Sequence, residues 1–396
     1  MKLIIEFCIT SQCNLRCTYC YEKNKQVGQM PEETAFKIID SVLPLDHNKY
    51  EGYFEPDFEF DTLELYFFGG ECTLYPVLME RIVDRAIQRI KENNLIINLH
   101  VTVNTNGTIM TPELRHFYAK YRLITQANIT VDGCKQIHDM CRLDANGNGS
   151  WDRVMANLDT YFTFFPGSRQ TKITLSKDNM RYLFDGYKKL ESMGFRTLQC
   201  YPGNGLEWNQ EAVDEYKRQL DLILDYIKSK NGKATLTYRP FEVASSSMYD
   251  SPHHRATCGV YGFDRKICFD TEGNLFNCLR YAEYNAINPK FEILSLGNIH
   301  NEGKIVTKKG EEIIEQLKTF EVEYPEKCNG CEAIYMGACE QCPAVSYEET
   351  GSLKSIINDN FECQMAKYLY AKSVQYMYWK TKLEEAQNNG NQVEEQ

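Results

Sequence analysis

Residues 13–21 read Cys13-Asn14-Leu15-Arg16-Cys17-Thr18-Tyr19-Cys20-Tyr21, a Cys-x3-Cys-x2-Cys run with an aromatic residue before the last cysteine. Three thiols are the wrong number for a structural metal. A closed zinc site takes four ligands, and an ordinary iron–sulfur cube takes four thiolates. Three thiolates on a four-iron cluster leave one iron with an open position, and an open position is where chemistry takes place. Read alone, the run is also compatible with half of a zinc site or with chance spacing.

The chain of 396 residues is long enough for two or three domains with a sizeable core. Its first residues, Met-Lys-Leu-Ile-Ile-Glu-Phe, are too few and too acidic for a signal peptide. No stretch approaches the ~18 apolar residues of a membrane span. The expectation is a cytoplasmic protein that binds no membrane. Its 16 cysteines then point to metal binding or catalysis and not to disulfides. A formal net charge of −11 argues against nucleic-acid or anionic-membrane partners and leaves a neutral or basic peptide open.

Working outward from the triad, strand and helix signals alternate. Leu3 to Phe7 reads as a strand feeding the cysteine loop, and Pro31-Glu32-Glu33 opens a helix. A strand over Leu63 to Phe68 ends in Gly69-Gly70-Glu71 and is followed by a helix over Val77 to Glu92. The strand Leu99 to Val103 ends in Asn104-Thr105-Asn106-Gly107, and Ala127 to Val131 ends in Asp132-Gly133. Trp151 to Phe164 reads as a helix, Lys172 to Leu175 as a strand, and Asn179 to Met193 as a helix stopped by Gly194. A sixth strand, Arg196 to Cys200, precedes a helix from about Glu211 to Ile227. Six such units in series imply a parallel sheet, and the polar motifs fall at the strand C-termini, where α/β barrels place their sites. Tyr50 to Asp61, acidic and aromatic, reads as an insertion on the barrel rim or a solvated loop.

The spacing of Cys13, Cys17 and Cys20 resembles the cluster loop of the radical S-adenosylmethionine (radical SAM) enzymes. That resemblance implies a [4Fe–4S] cluster on the three thiols, with S-adenosylmethionine (SAM) on the fourth iron and a 5′-deoxyadenosyl radical as the reagent. Gly69-Gly70-Glu71 is similar to the family's Gly-Gly-Glu motif, whose acid receives the methionine ammonium. The family's usual proline is replaced by Cys72, either a small buried hydrophobe or an extra thiol near the site. By the same resemblance Asn106, Thr130 and Asp132 meet the carboxylate and ribose, Arg142 pairs with the carboxylate, Ser176 reaches the ribose and Tyr21 lies near the adenine. Asn106 and Asp132 read equally well as turns capped by their own side chains.

Beyond residue 231 the alternation stops and the chain becomes cysteine-dense. Cys258, Cys268 and Cys278 are followed by Cys328-x2-Cys331-x7-Cys339-x2-Cys342 and Cys363. This pattern resembles the SPASM domain of radical SAM enzymes that act on peptides, which binds two auxiliary [4Fe–4S] clusters. The resemblance implies one cluster on Cys258, Cys278 and Cys342, with or without Cys268, and one on Cys328, Cys331, Cys339 and Cys363. Here the late block runs x7 then x2 where the family has x5 then x3. A four-cysteine zinc knuckle is the competing reading of the two Cys-x2-Cys pairs. Cys8, Cys134, Cys141 and Cys200 fit no pattern and read as core thiols.

The whole is an α/β protein: a partial (β/α)6, TIM-like barrel over 1–231, an iron–sulfur domain with a C-terminal helix over 232–383, and a disordered polar tail over 384–396. Sulfatase maturases of this family carry an aspartate base just after the Gly-x4-Cys block, whereas Cys278 is followed by Leu279-Arg280-Tyr281, with no acid before Glu283. The resemblance therefore implies a maturase of ribosomally made peptides that installs a thioether or carbon–carbon crosslink. Formylglycine formation and epimerisation are the alternatives, and a zinc scaffold is the non-enzymatic one. The partners implied are a precursor peptide and an electron donor such as flavodoxin or ferredoxin. Because the chain starts directly on the first barrel strand, the leader is expected to be brought by a separate leader-binding protein or bound through another surface, of which Tyr50 to Asp61 is a candidate. Arg280, Tyr281, Asp132 and Tyr201 are candidates for positions near the radical.

Overall fold

The structure is a computed structural model that describes residues 1–22, 25–203, 206–246, 266–284, 294–318, 326–328, 330–335, 343–353 and 360–394. In chain order the barrel region comprises β1 (Lys2–Thr10), α1 (Glu32–Val42), β2 (Thr62–Gly69), α2 (Pro76–Glu92), β3 (Asn98–Thr105), α3 (Pro112–Lys120), β4 (Thr125–Ile129), α4 (Lys135–Cys141) and α5 (Trp151–Phe164). It continues with β5 (Gln170–Leu175), α6 (Leu183–Ser192), β6 (Thr197–Pro202), α7 (Gln210–Ser229), β7 (Thr237–Tyr238) and α8 (Arg239–Ser246). The C-terminal region adds β8 (Lys266–Phe269), β9 (Asn274–Phe276), α9 (Leu279–Tyr284), β10 (Gly297–Asn298), α10 (Lys308–Lys318), α11 (Glu332–Tyr335), α12 (Pro343–Thr350) and α13 (Asn360–Glu394).

The helices start where backbone chemistry favours it. Thr111 accepts the Leu114 N–H ahead of Pro112, and Asn209 accepts the Ala212 N–H. β2, β4, β5 and β6 alternate in burial, while β1 is buried throughout from Ile5 to Thr10. Leu3, Ile5, Phe7 and Ile9 of β1 and Leu63, Leu65 and Phe67 of β2 are buried against the helices. Glu6, Tyr66, Asn104 and Asn128 fall at the intervening positions.

One sheet runs β10-β9-β8-β1-β2-β3-β4 and a second runs β5-β6-β7. β1 to β4 are parallel, and β8 joins β1 in parallel, so the C-terminal region extends the barrel sheet from its first strand. No ladder joins β4 to β5. Side chains close that seam: the Val131 N–H donates to Thr171 Oγ1 at 2.7 Å, and Gln170 Nε2 donates to Asn128 Oδ1 at 2.7 Å. The result is the expected open barrel with its six strand–helix units, followed by a cysteine-bearing region and a long C-terminal helix.

Three expectations are corrected. The segment Tyr50 to Asp61 is not a solvated loop but a packed part of the barrel rim. Tyr50, Tyr53, Phe54 and Phe58 are all buried, and Phe54 stacks on Phe58 with centroids 4.6 Å apart. Tyr53 donates its hydroxyl to the Lys266 carbonyl at the start of β8, and Asp61 N–H donates to Met1 O. This places the segment at the N-terminal ends of the strands, opposite the cysteine loop. Its acids face solvent, where Glu55 pairs with Lys318 of α10.

The helix expected over Asn179 to Met193 begins instead as a 3-10 turn at Met180–Tyr182, because the Asn179 side chain accepts the Ser176 N–H and donates to Thr174 O. The tail expected to be disordered from 384 continues α13 to Glu394. Lys382, Glu384, Glu385 and Gln387 are good helix formers, and Lys382 pairs with Glu385.

The aromatic cluster generates a test. Phe54→Ala should lower unfolding stability by about 3–5 kcal/mol, and Tyr53→Phe by about 1 kcal/mol, measured by urea unfolding. A solvated loop would give neither loss.

Candidate functional site

The loop after β1 carries the triad. Its backbone docks on the segment after α4: Arg16 N–H donates to Leu143 O at 2.6 Å and Thr18 N–H to Cys141 O at 2.9 Å. Cys20 N–H turns back onto Cys17 O at 3.1 Å, which closes a tight turn between those two thiols. The floor beside it is glycine by necessity. A Cβ on Gly69 would lie 2.1 Å from Thr10 O, and one on Gly70 2.4 Å from Ser11 O and Gln12 O, so β2 ends in direct backbone contact with the cysteine loop.

Cys13, Cys17 and Cys20 open onto a cavity of about 420 Å3 at the C-terminal ends of the strands. Tyr21, Gly69, Gly70, Glu71, Asn106, Thr130 and Arg142 also line it. Of the residues read from the sequence, Asp132 and Ser176 do not. Asp132 is wholly buried behind Arg142, and β5 presents Lys172, Ile173 and Thr174 to the cavity in place of Ser176.

Glu71 is 2 % exposed and carries four donors. Oε1 accepts from Thr73 N, Thr73 Oγ1 and Thr105 Oγ1, and Oε2 accepts from Asn106 N at 2.7 Å. A carboxylate has about four acceptor sites, so Oε2 retains capacity for a further donor from the cavity. Asn106 makes the self-capped turn and also lines the cavity. Its Oδ1 caps its own turn by accepting Thr108 N–H, while Nδ2 donates to Asn14 Oδ1 and lies 3.9 Å from Cys13 Sγ. Cys72 is buried and donates its thiol to Asn104 O at 3.2 Å, which assigns it to packing.

Arg142 caps α4 and is 7 % exposed. Its Nη1 donates to the Tyr19 hydroxyl at 2.9 Å, and Tyr19 donates to Asp132 Oδ2. Asp132 Oδ1 lies 4.0 Å from Arg142 Nη1. Among the described residues, Asp132 Oδ1 and Arg142 Nε are buried without a hydrogen-bond partner. Burial pushes the Asp132 carboxyl up, against the pull of Arg142. Burial and Glu71 push the Cys13 thiol up to about 11, and burial raises Cys17 as well. Ligation to iron reverses that, because a coordinated thiol is deprotonated outright. The donor set fits the cofactor pair: three unbridged thiols for a cluster, a carboxylate with spare capacity for an ammonium, and a guanidinium with a buried unused N–H for a carboxylate.

Residues 7–175 match the family model described as the Radical SAM superfamily. Over those residues the chain is similar to the radical SAM enzymes. The cysteine loop and the cavity beside it fit the cofactor pair of that superfamily, SAM and a [4Fe–4S] cluster.

The chain is 27% identical over 200 residues to a cysteine-type anaerobic sulfatase-maturating enzyme of Clostridium novyi, a match covering 49% of each chain. The match to that relative therefore spans about half of its length. A cysteine-type anaerobic sulfatase-maturating enzyme of Clostridium perfringens is 22% identical over 381 residues, covering 91% of this chain and 93% of that one. The solved structure of native anSMEcpe with bound AdoMet and Cp18Cys peptide superposes with a TM-score of 0.69 at 19% identity, over 98% of this chain and all of that one. Streptococcus suis SuiB bound to precursor peptide SuiA gives 0.52 at 12% identity, over 91% of this chain and 76% of that one. Both show the same fold.

In the C-terminal region Cys258, Cys339 and Cys342 lie outside the described residues. Cys331 N–H donates to Cys328 O at 3.0 Å, repeating the turn of Cys17 and Cys20. Cys363 sits in the first turn of α13. Cys268 is wholly buried on β8 opposite Glu6 of β1, while Cys278 is partly exposed at the start of α9. Arg280 and Leu279 reach the cavity, and Arg280 lies over the Tyr21 ring at 5.5 Å and pairs with Glu348 of α12 at 2.9 Å. Tyr201 lines the cavity, whereas Tyr281 does not. Among the described residues no helix is long and apolar enough to cross a membrane.

Several contributors were not singled out from sequence. Tyr19 was present only as the aromatic of the motif. Tyr66 and Asn104, which line the cavity, were readable from strand alternation. Glu6, Thr105, His138 and Ser150 leave no sequence pattern.

His138 offers a test. Burial, with Arg142 and Lys135 nearby, pushes its pKa from 6.5 to about 2. The folded ring resists a proton that the unfolded ring accepts, so stability falls as pH drops below about 6.5. The urea midpoint of the wild type should fall between pH 7 and pH 5, and His138→Asn should flatten that slope.

Proposed function

We propose that this enzyme is a radical SAM/SPASM maturase acting on a ribosomally made peptide, into which it installs a thioether or carbon–carbon crosslink. The observation that carries the reading is the joining of two chemistries in one cavity. The three-thiol loop with Glu71 and Arg142 forms one wall, and Leu279 and Arg280, beside Cys278, form another. A substrate in the cavity would touch both a radical source and the neighbourhood of an auxiliary cluster. Two neighbours in fold are recorded with peptides bound, which supports a peptide as the substrate class here.

In this reading Cys13, Cys17 and Cys20 ligate the first cluster. Glu71 receives the methionine ammonium, Arg142 its carboxylate, and Asn106, Thr130 and Tyr21 the rest of the cofactor. Asp132 acts through Tyr19 and Arg142, and Ser176 stands behind the cavity wall. When bound, the cluster and SAM supply one-electron cleavage of the sulfonium and a radical that removes hydrogen from the substrate. Cys258, Cys278 and Cys342 would hold one auxiliary cluster, and Cys328, Cys331, Cys339 and Cys363 the other. The division into a barrel over 1–231 and a SPASM domain over 232–383 follows the cysteines, although β8 binds the two through one sheet. A cytoplasmic location, a flavodoxin- or ferredoxin-type electron donor and a separate leader-binding protein complete the reading.

Formylglycine formation is the second reading, favoured by the two sulfatase-maturase relatives. Against it stands the fate of a carboxylate that, among the described residues, bonds the Leu279 amide. Glu6 accepts the Leu279 N–H at 3.1 Å and pairs with Lys266 at 2.7 Å, so it is committed to structure and not to proton removal.

The anaerobically reconstituted protein should contain about twelve irons and release 5′-deoxyadenosine on reduction with SAM. Replacing Cys13, Cys17 and Cys20 with alanine should remove about four irons and all cleavage. With the precursor peptide, mass spectrometry should show loss of two hydrogens per event, with fragmentation locating two joined residues. An aldehyde at a single serine, or loss of sulfur from a cysteine, would establish formylglycine formation instead, and unchanged mass with solvent deuterium would establish epimerisation. Stoichiometric zinc without SAM turnover would overturn the enzyme reading.

A further inference from the structure

Ser150 sits at the N-cap of α5, where a serine ordinarily accepts an amide from the first helical turn. It makes no cap bond. Asp139 takes that task by accepting the Trp151 N–H at 2.8 Å. Ser150 donates its hydroxyl to the carbonyl of Arg142 at 2.7 Å and faces His138 Nε2 at 3.0 Å. His138 Nδ1 in turn takes the backbone N–H of Asp132 at 3.2 Å. His138, Ser150 and Asp132 are each 0 % exposed, and the His138 ring packs edge-on against Trp151.

The proton positions in this chain follow from its ends. A backbone N–H can only donate, so Nδ1 is the acceptor and the neutral ring carries its proton on Nε2. That N–H donates to Ser150 Oγ, whose own proton goes to Arg142 O. Asp132 and Arg142 are therefore tied twice. Tyr19 of the cysteine loop joins their side chains, and His138 with Ser150 joins their backbones, closing a buried ring of hydrogen bonds. The backbone arm fixes where Arg142 leaves α4, and so where its guanidinium enters the cavity.

We infer that His138 and Ser150 are positioning residues for the carboxylate end of SAM, acting by holding Arg142 and Asp132 in register with the cysteine loop. The inference rests on the assignment of Arg142 to that carboxylate.

The test uses the anaerobically reconstituted enzyme and three single variants, Ser150→Ala, Ser150→Thr and His138→Asn. One readout is the KM for SAM against kcat for 5′-deoxyadenosine release. The other, independent of turnover, is the SAM concentration that perturbs the electron paramagnetic resonance spectrum of the reduced cluster. Ser150→Ala and His138→Asn should raise both SAM concentrations roughly three- to tenfold, with kcat within about twofold and iron content unchanged, while Ser150→Thr restores wild-type values. A lowered melting temperature with both SAM readouts unchanged would reduce the pair to a structural role and overturn the inference. Should His138→Asn fail to fold, the milder Ser150→Ala decides alone. Arg142→Ala separates the two layers. If it weakens SAM and Ser150→Ala does not, the inference fails and the Arg142 assignment stands; if it leaves SAM binding untouched, both fall.

Discussion

A guanidinium cannot give up its proton inside a protein, so a buried arginine dictates its surroundings. Arg142 is such a residue. Burial works against its charge, and Tyr19, Cys17 and Asp132 outweigh that and hold it fully protonated. Breaking a buried ion pair from one side leaves an uncompensated charge and costs more than the pair contributes. The surroundings are correspondingly complete. The aspartate after β4 faces the arginine after α4, and a tyrosine from the cysteine loop stands between them. Hydrogen bonds from Arg16 and Thr18 lay that loop along residues 141–143. One charge thus brings the end of β4, the end of α4 and the cysteine loop to a common point. The three thiols inherit their placement from it.

A second buried charge ties the C-terminal region to the barrel. Glu6 of β1 pairs with Lys266 of β8 and accepts the amide that follows Cys278. Burial pulls Lys266 down, but the Glu6 carboxylate more than offsets it and keeps the ammonium charged. Tyr53 bonds the carbonyl of the same Lys266, and Ile305 N–H bonds Lys49 O. β8 is therefore clamped at its side chains and its backbone. A residue next to Cys278 cannot shift without disturbing β1, which feeds the cysteine loop directly. The separation between the two cysteine sites is set by strand geometry and not by a linker.

Much of the barrel was legible because burial writes itself as periodicity. Leu63, Leu65 and Phe67 alternate, and Ile82, Val83 and Ala86 recur at helical spacing, so those elements were placed within a few residues. The cavity residues were legible where backbone constraint leaves a residue type behind, as at Gly69 and Gly70. The segment Tyr50 to Asp61 misled because its exposed acids alternate with its buried rings in no regular period. Composition there described the solvent face and hid the packed one. β8 was missed for a different reason. A short strand added to an existing sheet edge needs few residues, and its partner, β1, lies more than 250 positions away in the chain.

The Tyr19–Asp132–Arg142 node was half legible, and the missing half explains the errors. Asp132 and Arg142 were found as strand-end and post-helix polar residues, and both were assigned to the cofactor directly. In the fold Asp132 is withdrawn behind Arg142. A sequence motif records that a polar group is required, but not whether it faces the ligand or supports the group that does. Only the hydrogen-bond directions separate the two, and they depend on residues such as His138 and Ser150 whose partners are scattered along the chain. Second carboxylates near an arginine are accordingly poor candidates for ligand contact when the arginine is buried. The arginine needs a counter-charge of its own before it can present a free N–H to a cofactor.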